Sequence, residues 1–442
     1  MRSVQSAIER RGERTMVRSW KVYISTVAVC LLCLSTYGLG VATGPAVQRT
    51  LGVGNVDDGL PTEFRSLLQV WELVSDHFVE QSRVDPKAMV YAAIPAMLAT
   101  LKDTGHTRFL TAEEYKRQQE HFQGQFSGIG ATVDIRDHRP VIVAPVPGSP
   151  AEKAGLLPND IILSIDGRDT TDLPLDQATK LIRGQRGTKV ALRIQRSGGR
   201  ELDIPVTRDV IPIITIRWQI IQGSDIAVIS ITEFSDGTAA KLETALDDAR
   251  RGGAKRFVID VRDDPGGLLD QAVAVSSAFI QSGVVLVQQD AKGHRQNYNV
   301  NGHTIAPSEP VAVLVNKGSA SASEIFAGAM QDHERARVIG VSTYGTGTVL
   351  STYQLKDGSA LLLGTLKWLT PSGRTIKDQG IAPDDVVTMP ESIKPIFPGT
   401  RDFPESVTAA MRGTDLQLAA AVRTLDPSAA VLAKDPPSLT SP

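Results

Sequence analysis

The strongest constraint on the fold of this chain is a regular alternation of apolar strands and helical stretches after residue 210. The helical stretches lie at 236–251, 267–281 and 321–332. The apolar runs between and around them cover 225–231, 257–262, 284–288, 311–316 and 337–341. Strands that alternate with helices pair in parallel, because each helix carries the chain back across the sheet. We therefore predict an α/β core in which helices cover a mostly parallel sheet.

The preceding segment, 126–209, has a β-rich pattern of short alternating strands with one helix at 175–182. Its phrase VPGSPAEKAGLLPNDIILSIDGRD at 146–169 places Gly155 where a short helix ends and Asp166-Gly167 where a hairpin turns. A glycine-rich loop stands ahead of this phrase, and glycines let backbone amides approach an anion without obstruction by a Cβ atom. This candidate anion-binding loop comprises Phe126, Ser127, Gly128, Ile129 and Gly130.

Two further regions flank these segments. Apolar residues recur at helical spacing from Thr62, which predicts a helical region over 62–125. His106 lies near its end in the phrase KDTGHTRFL, a loop setting that favours a solvated histidine over a catalytic one. Residues 391–442 are rich in Pro, Ser and Ala, and they predict a C-terminal tail with one helix at 415–425.

Composition narrows the function classes. The chain has 442 residues, more than one compact core usually holds, so about two or three folded units are expected. Its 47 basic and 49 acidic residues are spread evenly, and the absence of a basic patch argues against nucleic-acid binding. Both cysteines, Cys30 and Cys33, fall in an N-terminal apolar run. This excludes a cysteine nucleophile and a Cys-ligated zinc site from the folded part.

The N-terminal run itself suggests a membrane segment. Residues 22–47 contain no charged side chain, and about 20 apolar residues suffice to cross a bilayer. Residues 1–21 carry six basic and two acidic side chains, an excess that favours the cytoplasmic side. We therefore predict a single-pass transmembrane helix in the cell membrane, with the bulk of the protein periplasmic or extracellular. The alternative is a signal segment cleaved near Gly44-Pro45-Ala46, which would release a secreted protein.

Four phrases in the second half of the chain carry a family resemblance. They are DVRDDPGGLLD at 260–270, VNKGSASASEIFAGAMQD at 315–332, LTPSGRTI at 369–376 and GIAPD at 380–384. In this order, and after the phrase at 146–169, they resemble the motifs of the carboxyl-terminal processing (tail-specific) serine peptidases, which carry a PDZ domain. The resemblance covers about residues 62–390.

This resemblance implies a PDZ domain at 126–209 and a serine-peptidase core at 210–390. A PDZ domain binds the free C-terminus of a peptide by adding it as a strand, so the implied partners are protein or peptide substrates with free C-termini. The loop at 126–130 matches the family's carboxylate-binding loop. The resemblance implies no metal and no organic cofactor.

The resemblance also implies roles for residues of the core. Ser321 lies among three serines where the strand at 311–316 gives way to a helix. A helix N-terminus offers amides and positive potential to a nucleophile, although serine is also the favoured residue for plain N-capping. By the resemblance, Ser321 is the nucleophile. The oxyanion-binding amides are those of Gly267, in a Pro-Gly-Gly turn, and of Ala322.

The chain departs from the family at the base that activates the serine. Active members use a lysine whose pKa is lowered by burial. In the matching phrase TYGTGTVL at 343–350, Thr346 stands at the lysine position and Leu350 at the usual glutamine position. A threonine hydroxyl cannot act as a general base near neutral pH.

Two hypotheses about function stay open. In the first, Lys367 on the strand LLLGTLKWL is a substitute base. The chain is then an active endopeptidase that cleaves exported proteins near their C-termini. In the second, the chain is a catalytically impaired pseudo-peptidase that acts as a PDZ-based peptide-binding adaptor or chaperone.

Overall fold

The computed structural model describes residues 61–103 and 106–429, which fall into two units divided after Asp85. The first unit contains helix α1 (Thr62–His77) and a short 3-10 helix (Gln81–Arg83). Helix α1 follows the predicted apolar spacing, and none of its residues is buried within the described chain.

The second unit begins at Pro86 and holds the remaining elements. Up to residue 212 these are α2 (Pro86–Ala99), β1 (Arg108–Leu110), α3 (Ala112–Phe122), β2 (Gln125–Gly128), β3 (Ala131–Arg136), β4 (Arg139–Pro145), α4 (Pro150–Lys153), β5 (Ile161–Ile165), β6 (Arg168–Asp169), α5 (Leu175–Ile182), β7 (Lys189–Arg196), β8 (Arg200–Thr207) and β9 (Asp209–Pro212). From residue 216 onward they are β10 (Ile216–Ile220), β11 (Ile226–Ile231), α6 (Thr238–Arg251), β12 (Arg256–Asp260), α7 (Leu269–Ser277), β13 (Val284–Gln289), β14 (Arg295–Asn299), β15 (Val311–Val315), α8 (Ala322–Asp332), β16 (Arg337–Gly340), β17 (Thr348–Gln354), β18 (Ala360–Leu369), β19 (Asp385–Val386), α9 (Val407–Arg412) and α10 (Leu416–Leu425).

The β-rich segment forms an antiparallel sheet in the order β3-β4-β5-β7-β8, with β6 beside β5. Strand β3 lies at one edge, because it pairs with β4 alone among the described strands. Alternate residues of β7 point inward and are fully buried, as the period of a strand requires. Helix α5 packs on this sheet through Ala178 and Ile182. The edge strand β3 and helix α5 therefore belong to the same β-rich domain.

A six-stranded sheet in the order β10-β11-β12-β15-β16-β19 forms the centre of the larger part of the second unit. All its ladders are parallel except that between β10 and β11. Strands β11, β12 and β15 are almost entirely buried, because both faces of the sheet are covered. Helices α6, α7 and α8 pack on one face, and helices α9 and α10 pack on the other.

The prediction of a core with a mostly parallel sheet is wrong. A second sheet, in the order β1-β18-β13-β14 with β17 beside β18, is antiparallel throughout. Eleven of the fifteen ladders between described strands are antiparallel. The apolar run at 284–288, expected in the parallel sheet, is β13 and pairs antiparallel with β14 and β18. An apolar run indicates that a strand is buried, but it does not determine which strand it pairs with.

The predictions of a transmembrane helix and of a single-pass location in the cell membrane are also contradicted. Among the helices of residues 61–103 and 106–429, none combines the length and the apolar character needed to span a bilayer. Residues 22–47, on which those predictions were placed, lie outside the described residues.

The segment after residue 390, expected as a tail, contributes buried residues to the core. Helix α10 closely matches the predicted helix at 415–425 and buries Leu418, Val422 and Leu425 against the central sheet. Its N-cap residue Asp415 binds the buried guanidinium of Arg262 at 2.9 Å. This contact ties the end of the described chain to the residues that follow strand β12.

Candidate active site

Ser321 occupies the junction between strand β15 and helix α8, where the sequence predicted a nucleophile. Its backbone has φ 54° and ψ −113°, a conformation that a residue with a side chain adopts only under strain. The neighbouring Ser319 and Ser323 are fully buried, and their hydroxyls donate to the carbonyls of Val261 and Asp264. Ser321, by contrast, is half-buried at the surface of the turn, so the three serines differ in their structural roles.

The Pro-Gly-Gly turn packs directly against Ser321. An ideal Cβ added to Gly266 would lie 2.5 Å from the oxygen of Ala320 and 2.7 Å from the amide nitrogen of Ala322. One added to Gly267 would lie 2.3 Å from the carbonyl oxygen of Phe234. Both glycines also have positive φ, at 95° and 146°. Only glycine permits this close approach, which brings the turn beside the first amide of helix α8.

The amides of Gly267 and Ala322 are free to bind an anion. Within the described residues, neither amide donates a hydrogen bond to the protein. The amide of Ser321, by contrast, donates to Oε2 of Glu324 at 2.9 Å. Two unpaired amides, one in the turn that packs against Ser321 and one next to Ser321 in the chain, are the kind of donors that stabilise a developing oxyanion.

Glu324 connects the Ser321 turn to the loop that carries Thr346. Its Oε2 accepts the amides of both Ser321 and Thr346, at 2.9 and 2.8 Å. Its Oε1 accepts the Gly345 amide at 2.7 Å and the Thr343 hydroxyl. Burial raises the pKa of the Glu324 carboxyl above its ordinary value, although these four donors oppose the shift. The sequence by itself points to no connection between Glu324 and Thr346, although the position of Glu324 three residues after Ser321 has the spacing of a capping box.

The three residues that the sequence connects with the missing lysine base lie in different environments. Thr346 is buried beside Glu324, with 7% of its surface exposed. Leu350 is half-buried on β17. Lys367 is exposed on β18, opposite Thr348 of β17, so the two side chains share one face of the sheet. None of the described residues forms an ion pair with the Lys367 ammonium.

His106, expected as a solvated loop residue, is largely buried next to the same loop. Its side chain is 16% exposed, and its Nδ1 lies 3.3 Å from the hydroxyl of Thr348 and 3.8 Å from Oδ1 of Asp103. Asp103 also accepts the Thr107 hydroxyl at 2.7 Å and the Lys377 ammonium at 3.2 Å. The sequence did not reveal this cluster, because 242 residues separate His106 from Thr348.

The candidate carboxylate-binding loop runs from strand β2 to strand β3. Gly130 has φ 72°, and an ideal Cβ there would lie 2.5 Å from the Cβ of Ser149. The amides of Ile129 and Gly130 donate no hydrogen bond to the described residues. The guanidinium of Arg183 lies 5.3 Å from the centre of the Phe126 ring and adds a positive charge at the loop. Free amides and a cation next to the edge strand β3 could hold the terminal carboxylate of an added strand.

The described residues contain no group of three or more His, Cys, Asp or Glu side chains placed to hold a metal ion.

Comparisons with known proteins address the family. Residues 225–387 match the sequence profile of peptidase family S41, and residues 141–196 match that of the PDZ domain. A probable CtpA-like serine protease of Staphylococcus haemolyticus is 35% identical over 387 residues, which cover 86% of this chain and 75% of that protein. A probable CtpA-like serine protease of Staphylococcus aureus is 34% identical over 360 residues, which cover 80% of this chain and 71% of that protein.

Among solved structures, the photosystem II D1 C-terminal processing protease is similar over 75% of this chain and 95% of its own length. Its sequence identity is 26% and its TM-score is 0.45. The family resemblance of the sequence motifs is confirmed by the extent of the match to the curated relatives. The chain belongs to peptidase family S41, and within it to the PDZ-carrying serine peptidases of the carboxyl-terminal processing type.

Proposed function

We propose that this chain is a serine-type endopeptidase that cleaves proteins near their C-termini after its PDZ domain has bound the free C-terminus. Ser321 is the proposed nucleophile, and the amides of Gly267 and Ala322 are the proposed oxyanion donors. The observation that carries the proposal is the strained backbone of Ser321 against the Pro-Gly-Gly turn, together with the unpaired amides of Gly267 and Ala322. Strain of this kind is retained where it positions a reacting group.

The proposed chemistry is acyl transfer. The Ser321 hydroxyl attacks the carbonyl carbon of the substrate, and the carbonyl oxygen becomes negative as the tetrahedral intermediate forms. Amides that are already in place stabilise this charge without reorganisation, and each such donor is worth about 10²–10³ in rate. The N-terminal end of helix α8 contributes positive potential at the same point.

The proposed recognition step uses strand β3 and the loop at 126–130. A substrate C-terminus would extend the antiparallel sheet at the free edge of β3, and helix α5 packs on that sheet. The amides of Ile129 and Gly130 would bind its carboxylate, with Arg183 as a nearby cation. This mode requires a free carboxylate, so it selects chain ends over internal segments.

A second candidate function is that of a non-cleaving adaptor or chaperone that holds C-termini through the PDZ domain. The observation that favours it is the threonine at position 346, which supplies no base next to Glu324. The adaptor and the peptidase share the recognition step and differ in turnover alone.

The cleavage experiment separates the two candidates. Purified wild-type protein is incubated with an unfolded protein substrate, and the products are identified by mass spectrometry. For a peptidase, Ser321→Ala lowers turnover by about 10³-fold or more, since the acyl-enzyme cannot form. Ser308→Ala, in an exposed loop, is the matched control and keeps the wild-type rate. Absence of cleavage by the wild type would favour the adaptor, and cleavage that survives Ser321→Ala would contradict both candidates.

The binding experiment tests the recognition step. Fluorescence anisotropy compares one labelled peptide with an apolar end in two forms, with a C-terminal acid or a C-terminal amide. Loss of the charge weakens hydrogen bonds from the loop amides, so the amide form binds about tenfold more weakly or worse. Equal affinity for the two forms would show that the loop at 126–130 does not bind a carboxylate.

A further inference from the structure

We propose that His106, oriented by Asp103, is the general base that takes the proton of Ser321. This inference rests on the function proposed above, and it identifies the group that stands in for a lysine at position 346. The place of the imidazole, its orientation and its protonation state each support this role.

The imidazole lies beside the position where the base is missing. Thr346 adjoins the Ser321 turn, because the amides of both residues donate to the same oxygen of Glu324. His106 contacts the loop on both sides of Thr346. Its ring centre lies 6.2 Å from that of Tyr344, and its Nδ1 lies 3.3 Å from the Thr348 hydroxyl. The structure thus brings a titratable side chain from a distant segment to the loop in which lysine has been replaced.

The orientation of the ring leaves one nitrogen free for proton transfer. Nδ1 faces the Thr348 hydroxyl and the carboxylate of Asp103, whereas Nε2 has no hydrogen-bond partner among the described residues. Asp103 is itself held by the Thr107 hydroxyl and the Lys377 ammonium. A carboxylate 3.8 Å away on the Nδ1 side favours the tautomer that carries its proton on Nδ1, and in this tautomer Nε2 can accept a proton. Asp103 is therefore a positioning residue in this arrangement.

The surroundings keep the imidazole neutral. Burial lowers the pKa of His106 below its ordinary value, and Asp103 opposes this shift. The charged groups that face the ring from neighbouring segments are Asp103, Lys377, Arg108 and Asp378. Lys377 and Arg108 lower the pKa further, whereas Asp378 raises it. A neutral imidazole at pH 7 can accept a proton, as a general base must.

The nearby lysines lack the environment that a lysine base requires. A lysine gives up its proton near neutral pH when it is buried and not paired with an anion. Lys367 is exposed, and Lys377 is one-third exposed and paired with Asp103. The His106 side chain, at 16% exposed, is more deeply buried than either lysine.

The proton transfers balance over the reaction. As the Oγ of Ser321 bonds to the substrate carbonyl carbon, its proton moves to Nε2 of His106, and the oxyanion forms between the amides of Gly267 and Ala322. The imidazolium then donates this proton to the leaving amide nitrogen, the C–N bond breaks, and the acyl-enzyme remains. Water next loses a proton to Nε2 and attacks the ester carbon. The proton returns to Oγ as the acid product leaves.

The test measures kcat/KM from pH 4.5 to 9 for the wild type and His106→Gln, with His294→Gln as the matched control. His294 is an exposed histidine with its own aspartate partner, Asp290, at 2.9 Å. Loss of the base is expected to lower kcat/KM by about 10²–10⁴-fold, with KM little changed. In the wild type, activity falls as the pH drops through the His106 pKa, because the protonated ring cannot accept a proton. The midpoint of that fall is expected below about pH 6.5.

Two further variants separate catalysis from structural support. Asp103→Asn removes the charge that raises the His106 pKa, so the acid limb should move to lower pH while some activity remains. His106→Gln combined with Thr346→Lys restores the family's lysine, and its activity should reappear with an optimum at higher pH. Melting temperature and PDZ peptide affinity, measured for every variant, report whether each protein is folded.

The outcomes distinguish this inference from the proposed function. Ser321-dependent cleavage that survives His106→Gln with its acid limb unchanged would overturn the inference alone. So would loss of cleavage in Lys367→Ala together with full activity in His106→Gln, since the base would then be a lysine. A wild type without Ser321-dependent cleavage would refute the proposed function, and the inference would fall with it.

Discussion

Replacing Asp415 by alanine is expected to destabilise the core by about 1.5–3 kcal/mol, because it removes a charged hydrogen-bond partner of a fully buried cation that keeps Asp260 as its counter-ion. The Arg262 guanidinium donates to both oxygens of Asp260, at 2.9 and 2.7 Å, and to Asp415 at 2.9 Å. Its side chain has no exposed surface, so water cannot replace the lost carboxylate. Asp415 also caps helix α10 by accepting the Leu418 amide at 3.0 Å, and a lost cap costs about 0.5–2 kcal/mol. Because one residue serves both roles, the two costs are not additive.

Urea unfolding followed by tryptophan fluorescence measures this cost. Trp218 and Trp368 lie in the core, and residues 126–209 contain no tryptophan, so the signal does not report on the PDZ segment. The matched control is Asp385→Ala, which breaks an exposed pair with Arg337 and is expected to cost at most about 1 kcal/mol. Asp415→Asn should retain much of the cap while it loses the charge. If Asp415→Ala cost no more than Asp385→Ala, burial would not be the reason that this contact matters.

Two further predictions concern the site. Glu324→Ala should lower kcat at least about tenfold with KM little changed in steady-state kinetics, because the Ser321 amide and the loop around Thr346 lose their common acceptor. An unchanged kcat would show that the Ser321 turn is held by other contacts. Gly130→Ala should weaken binding of an acid-terminated peptide in anisotropy measurements, since its Cβ would meet Ser149 and its φ of 72° disfavours a side chain. Wild-type affinity in this variant would exclude the loop from carboxylate binding.

The sequence alone was sufficient to identify the family and to predict the strand-to-helix junction at which the proposed nucleophile lies. The phrases around Gly267 and Ser321 are contiguous, and they carry the resemblance that the comparisons confirmed. The predicted helices at 236–251 and 321–332 are present as α6 and α8, because their periodicity and caps are local signals. The spacing of Ser321 and Glu324 was likewise legible as a capping box, although its connection to Thr346 was not.

The features that only the tertiary structure determined are those that depend on contacts between residues far apart in the sequence. The run at 284–288 forms a strand, as its apolar pattern predicts, yet its antiparallel partner β18 lies some 80 residues later. No local pattern determines which strand is the partner. The ion pair of Arg262 with Asp415 spans 153 residues, and the contact of His106 with Thr348 spans 242. A local sequence pattern indicates the type of secondary structure and which residues are buried. The ability of a side chain to accept a proton depends instead on the groups that surround it in the folded protein. For that reason Thr346 could be recognised in the sequence as a missing base, while its proposed replacement emerged only once the chain was folded.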